Sequence, residues 1–123
     1  MCRLDHLLVL LSLFTSAALA ANIFVSHYSG TVNSLTLTEP TTGTYSLALN
    51  TSLYIGGQPS WLTWDSASRT LYIPDETSYF TAYSWSVSAA ANGGFTQTGK
   101  ATAVAGGVAS VLYGNGQYLA TAH

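Results

Sequence analysis

The sequence has little charge and almost no cysteine. Three lysines and arginines and five aspartates and glutamates make up 7% of its 123 residues. A basic stripe that could replace the counterions of a phosphate backbone cannot be built from Arg3, Arg69 and Lys100, which argues against nucleic-acid binding. The same scarcity argues against polybasic attachment to a membrane surface. The single cysteine, Cys2, cannot pair within the chain, so the small disulfide-stapled scaffolds are excluded and stability has to come from packing. After residue 20 no stretch repeats its apolar residues at helical spacing for three turns, which argues against a helical bundle. Low charge does not mean disorder here, because aromatics make up 12% of the chain and disordered segments are poor in them.

The longest apolar run, Leu7 to Phe14, is too short for a membrane span, which takes about 20 apolar residues. Arg3 precedes it, and Ala18-Leu19-Ala20 follows as a small-x-small cleavage pattern. Polar start, apolar middle and small-residue end together make a secretory signal peptide of residues 1–20, cut after Ala20. The expected mature domain spans residues 21–123 and is extracellular. It has no cysteine, and its charges reduce to Arg69 and Lys100 against Glu39, Asp65, Asp75 and Glu76. In that setting Asn50-Thr51-Ser52 reads as a sequon for an N-glycan at Asn50.

What the chain has in quantity is period-two alternation, the sign of half-buried strands. Leu35 and Leu37 alternate with Ser34, Thr36 and Thr38. Tyr45, Leu47 and Leu49 alternate with Ser46 and Ala48. Tyr83, Trp85 and Val87 alternate with Ser84, Ser86 and Ser88. Short apolar runs at Ile23-Phe24-Val25, Leu71-Tyr72-Ile73 and Val111-Leu112-Tyr113 suit strands buried on both faces. Turn signals such as Thr42-Gly43, Asp65-Ser66, Asn92-Gly93-Gly94 and Gly114-Asn115-Gly116 separate them.

An internal repeat organises these strands. A shift of 48 positions carries Ile23-Phe24-Val25-Ser26-His27 onto Leu71-Tyr72-Ile73-Pro74-Asp75 and then onto Leu119-Ala120-Thr121-Ala122-His123. A shift of 50 carries Gly57-Gln58-Pro59-Ser60-Trp61-Leu62 onto Gly107-Val108-Ala109-Ser110-Val111-Leu112. A period of about 50 residues made of four short strands is the signature of a β-propeller blade. In the complete copy the strands are expected near Ser60–Trp64, Thr70–Pro74, Phe80–Val87 and Phe95–Thr102. The copy before it begins at its second strand, near Asn22–Ser26, continues near Val32–Thr38 and Tyr45–Tyr54, and has no innermost strand of its own. The expected fold class is therefore all-β: two to two and a half blades of a propeller, a fragment of a ring whose far C-terminus would supply the missing strand. The rival architecture is an all-β sandwich of about 100 residues, which needs no such self-similarity.

Chemistry in a propeller gathers at the rim of the channel, where second strands end and innermost strands begin. The repeat places His27, Asp75 and His123 at the ends of successive second strands, with Glu76 after Asp75. Imidazole and carboxylate groups around a channel mouth suit general acid–base work and could also hold a metal ion. Each of these residues is equally well explained as a polar strand end capping a turn. Trp61, Trp64 and Trp85 read as core residues and Arg69 as a solvated turn residue. Nucleophile-elbow, Walker, dinucleotide-binding and paired-histidine metal motifs are all missing.

The segments Pro59-Ser60-Trp61-Leu62-Thr63-Trp64-Asp65, Thr70-Leu71-Tyr72-Ile73-Pro74-Asp75-Glu76, Ser110-Val111-Leu112-Tyr113-Gly114 and Ala120-Thr121-Ala122-His123 resemble the lactonase family. These are the seven-bladed propellers of bacterial 6-phosphogluconolactonases and fungal 3-carboxy-cis,cis-muconate lactonizing enzymes, and the likeness is strongest to secreted fungal members. The resemblance implies hydrolysis or reversible closure of a lactone ring, a small lactone or organic acid as substrate, and no metal or other cofactor. It implies acid–base work by His, Glu and Arg side chains, most of them on blades beyond His123, so that this chain by itself is inactive. Among the positions present the resemblance favours His123, ahead of Asp75, Glu76 and His27. A secretory leader and the lack of a basic phosphate cluster point away from a phosphorylated lactone. A non-catalytic secreted propeller that binds a carbohydrate or a protein through its rim is the alternative.

Overall fold

A computed structural model describes residues 19–77 and 82–123. The expected leader, apart from its last two residues, lies outside the described residues, as does the expected start of a strand at Phe80. Nine strands follow one another in these segments: β1 (Leu19–His27), β2 (Thr31–Thr41), β3 (Thr44–Tyr54), β4 (Thr63–Asp65), β5 (Thr70–Pro74), β6 (Ala82–Ala89), β7 (Phe95–Ala103), β8 (Ala109–Tyr113) and β9 (Tyr118–Ala122). They form three antiparallel sheets whose spatial order is the chain order: β1-β2-β3, β4-β5-β6-β7 and β8-β9. The all-β fold and the division into a three-stranded, a four-stranded and a two-stranded blade are those the repeat predicts. Among the described residues no helix is long and apolar enough to cross a membrane.

Turn chemistry sets the strand boundaries. Between β4 and β5, Asp65 Oδ1 accepts from Ala67 N at 3.0 Å and Oδ2 from the Ser68 hydroxyl at 2.6 Å. These bonds hold the Asp65 carboxyl below the usual carboxylate range. Arg69 then turns the chain with φ of 53°. Its side chain is exposed, as expected of a turn residue, and its Nε also donates to Ala89 O at 3.0 Å, which ties the turn to the end of β6. Asn50 is the extra residue of a β-bulge: Ser34 pairs with Thr51 and Leu35 with Leu49. Its Nδ2 donates to Thr36 Oγ1 at 2.6 Å, so a glycan attached there would take up a nitrogen already engaged across the sheet.

The innermost strand begins later than Ser60. Its ladder covers Thr63–Asp65, and the segment before it meets β5 through an isolated bridge between Pro59 and Asp75. Pro59 has no N–H to give to a ladder, which breaks the pairing at that point. β1 extends back to Leu19, opposite Glu39, so a cut after Ala20 would leave it starting at the Ala21–Leu37 pair.

The core lies between the first two sheets. Val32, Ile55, Leu71, Ile73, Trp85 and Val87 are buried, with Phe24, Leu53, Leu62 and Phe95 packed against them. Phe24 of β1 sits 5.3 Å from the Trp64 ring and 5.5 Å from the Phe95 ring, tilted to both. Of the three tryptophans expected in the core, only Trp85 is there. Trp64 is exposed at the edge of the Phe24 cluster, and Trp61, on the segment leading into β4, is exposed as well. The first blade has no innermost strand among the described residues to cover them. Tyr45, Leu47 and Leu49, which alternate as a half-buried strand should, are likewise exposed on β3, because no sheet packs on that face.

Repeat-equivalent residues thus have opposite environments: Ile73 is 0% exposed and Val25 is 43% exposed. Ile73→Ala should lower unfolding free energy by about 2–5 kcal/mol, whereas Val25→Ala should change it by less than about 0.5 kcal/mol. Urea unfolding followed by tryptophan fluorescence measures both.

Candidate functional site

The ends of the second strands and the starts of the innermost strands do come together on one rim, and Asp75 is the residue that joins them. Its side chain is buried, and its Oδ1 accepts from Gln58 N at 2.9 Å and from Thr77 N at 3.0 Å. Its carbonyl accepts from Gly107 N at 3.0 Å. One residue therefore fixes the entry to the innermost strand of its own blade, the exit from its second strand, and the entry to the next blade. Gly57 makes this possible. It has φ of 63°, and a Cβ there would lie 2.6 Å from Asp75 Oδ2 and 2.7 Å from the Trp85 ring. The carboxylate sits where only a glycine lets it approach.

Glu76 follows with a half-buried side chain. Its N donates to Gln58 O at 3.0 Å, and its Oε2 accepts a short hydrogen bond from the Tyr28 hydroxyl. Tyr28 is the residue after His27, so this bond crosses from the first blade to the second. The neighbouring carboxylate pushes the Tyr28 phenol above its ordinary value, first by holding its proton in the hydrogen bond and then, with desolvation, by charge. Tyr28 was not among the residues singled out in the sequence, yet a signal for it exists. Tyr28 and Glu76 are 48 residues apart, so they hold the same position in successive repeats.

The two imidazoles are set in opposite senses. His27 Nδ1 accepts from Ser29 N at 3.0 Å and meets the Ser29 hydroxyl at 2.9 Å. In the neutral ring this leaves the proton on Nε2. His123 Nδ1 lies 3.2 Å from the Ala105 carbonyl, which can only accept, so its neutral ring has the lone pair on Nε2. Both rings are exposed. Neither is hydrogen-bonded to a carboxylate among the described residues. The structure therefore brings Asp75 and Glu76 into one network with Tyr28 and Gln58, and leaves His27 and His123 on either side of it, on the first and third blades.

Hydroxyl groups join the second and third blades closer to the axis. The Ser60 hydroxyl donates to Gly107 O at 2.7 Å, and the Thr63 hydroxyl lies 2.7 Å from both Ser110 O and Ser110 Oγ. Among the described residues no group of three or more His, Cys, Asp or Glu side chains is placed to hold a metal ion.

Antiparallel meanders of up to four strands, packed face to face and joined at a common rim by Gly-led innermost strands, define a β-propeller. The chain matches the family described as lactonase, 7-bladed beta-propeller, over residues 22–123, and it belongs to that family. Neither the curated proteins nor the solved structures return a match.

Two outcomes follow from the rim. Asp75→Ala removes the carboxylate acceptor of two part-buried backbone N–H groups and should destabilise the chain by about 1–3 kcal/mol. Asp75→Asn keeps an acceptor oxygen and should lose less, as thermal unfolding of the two variants would show. The Tyr28–Glu76 bond involves a phenol whose pKa is raised on folding. Its contribution is complete below the ordinary tyrosine value and disappears as pH rises through the folded one. Tyr28→Phe should therefore flatten the alkaline fall of melting temperature, read by circular dichroism across the alkaline range.

Proposed function

We propose that this rim belongs to a secreted enzyme that opens a small unphosphorylated lactone with water, or closes such a ring from the open acid, within a ring of seven blades to which these sheets contribute the first. Family membership supports lactonase-like chemistry. The observation that carries the finer reading is His123, whose neutral ring has its lone pair on Nε2, on the same rim as Glu76 with the Tyr28 hydroxyl donating to it.

In the hydrolytic direction His123 Nε2 accepts a proton from water as the water oxygen bonds to the lactone carbonyl carbon. The acyl–oxygen bond then breaks, and the departing ring oxygen takes the proton back from the His123 imidazolium. Glu76, with Tyr28 donating to it, binds a hydroxyl of the substrate or stabilises the imidazolium as it forms. Asp75 holds the loop that carries Glu76. Ring closure runs the same proton transfers in reverse. The family match begins at residue 22, just past the expected cleavage site, which supports reading residues 1–20 as a leader.

Nine described strands compare with about 28 in seven four-stranded blades, so the present sheets do not enclose a channel. The purified chain should leave five- and six-membered sugar lactones and an unsaturated dicarboxylic lactone at their uncatalysed rates. The same blades completed to a ring should turn over at least one of them, with kcat falling about 10²- to 10⁴-fold in His123→Ala. Turnover by the chain alone, or a completed ring indifferent to His123→Ala and Glu76→Gln, would overturn the proposal.

A further inference from the structure

One polar cluster takes no part in the chemistry proposed for the rim. It continues the face of β1-β2-β3 that carries Phe24 and meets the second blade. Ser34 stands opposite Phe24 in the sheet, and Thr36 opposite Asn22. Asn50 joins them from β3 because it is the extra residue of the bulge, and a bulge re-aims the side chain it carries. Its Nδ2 donates to Thr36 Oγ1 at 2.6 Å and reaches Ser34 Oγ at 3.5 Å. The Thr36 hydroxyl donates in turn to Asn22 Oδ1 at 3.3 Å, and Asn22 Nδ2 donates to Ala91 O at 3.3 Å. Hydrogen bonds therefore run from the sequon asparagine to the turn between β6 and β7. Gly93 in that turn closes the cluster from the side of the second blade. It is buried with φ of 82°, and a Cβ there would lie 2.6 Å from Asn50 Nδ2 and 2.8 Å from Ser34 Oγ. The turn is held in place by Gly93 N donating to Ala90 O at 2.9 Å and Ala90 N donating to Gly94 O at 2.8 Å. Asn50 as a whole is exposed, yet its amide nitrogen is turned inward, into the junction between the two blades.

We infer that glycosylation of Asn50 and docking of the second blade exclude one another: the sugar is accepted only while the β6–β7 turn is unseated, and the folded chain keeps the free amide. The donor is an oligosaccharide activated as a lipid pyrophosphate. Transfer forms a bond from Nδ2 to the anomeric carbon, breaks the bond from that carbon to the pyrophosphate oxygen, and releases one Nδ2 hydrogen as a proton and the lipid pyrophosphate as leaving group. Nδ2 carries two hydrogens, and the oxygens within its reach are those of Thr36 and Ser34. A sugar in place of the first hydrogen breaks the bond that leads on to Asn22. In place of the second it meets Gly93, where the gap is too narrow for a single Cβ. Neither the lactone chemistry nor secretion enters this geometry. Secretion decides only whether the chain meets a transferase in a cell, and the experiment supplies one.

The purified full chain is incubated with a single-subunit oligosaccharyltransferase and a lipid-linked oligosaccharide, and the gain in mass is followed by intact-mass spectrometry. A peptide of residues 46–56, which has the sequon without the junction, is the reference. The peptide should be modified, and the folded chain more slowly by about 10-fold or more, because its modification waits for the junction to open. Gly93→Ala drives a methyl group against Asn50 Nδ2 and unseats the turn. It should raise the rate of the chain by about 5-fold or more, the low end of coupling between two sites. Ser52→Ala, which removes the sequon, should abolish the gain throughout. Where Gly93→Ala loses sheet circular dichroism, Asn22→Ala, which releases the bond to Ala91, takes its place under the same criterion. A folded chain modified as fast as the peptide with its circular dichroism intact would overturn the inference. A peptide that is not accepted, or a natively folded Gly93→Ala chain no faster than the unmodified one, would overturn it as well.

Discussion

The carboxylate of Asp75 is the fixed point of this molecule. A buried carboxylate is tolerated only when hydrogen bonds replace its lost hydration. Asp75 meets that requirement by binding the backbone at Gln58 and Thr77, which lie on either side of β5 and β4. The innermost strand has a ladder of only three residues, and the segment leading into it contains Pro59, which cannot donate to a ladder, so it would be poorly held by pairing alone. The side chain at the end of β5 supplies the missing anchor. Through its carbonyl the same residue also sets where the third blade enters. The rim on which Glu76 sits is therefore defined by backbone geometry rather than by a flexible loop.

The apolar core belongs to the junction between blades and not to any one sheet. A sheet of three or four strands has an apolar face that must be covered by another layer. Here Val32 and Phe24 cover Leu71, Ile73, Trp85 and Val87, and the reverse. Polar contacts at the same junction include Asn22 Nδ2 reaching Ala91 O at 3.3 Å and Tyr28 reaching Glu76. Between the second and third blades hydroxyl groups from Ser60 and Thr63 take over that task.

Most of the fold was legible because two periodicities agreed. Alternation located the strands, and the 48-residue repeat grouped them, so Thr70–Pro74 came out with both ends correct and β7 within one residue of its expected end. What periodicity cannot convey is which neighbours exist. Trp64 and Leu49 alternate as core residues would, yet both are exposed because burial depends on a sheet that is not packed beside them. The site was legible as a position and less so as chemistry. The repeat correctly brought Asp75 and Glu76 to the rim, but residue type alone does not distinguish a carboxylate that binds backbone amides from one that faces a neighbouring phenol. Gly57 was the available clue to the first, and the shared repeat position of Tyr28 and Glu76 to the second.

The chain-order topology of the sheets has a consequence for how the molecule is made. Among the described residues every strand ladder joins strands adjacent in sequence, so each sheet is a run of hairpins that closes only short loops, in contrast to the long-range pairings that slow most all-β folds. A hairpin forms within about 1–10 μs, far faster than a ribosome adds the next residue at about 5–20 per second. The three strands of the β1-β2-β3 meander can pair with one another before β4 is synthesised, but Phe24 lacks its neighbours Trp64 and Phe95 until they arrive. During that interval the nascent chain has paired strands and an uncovered apolar face, and the event that completes each blade is the docking of its successor.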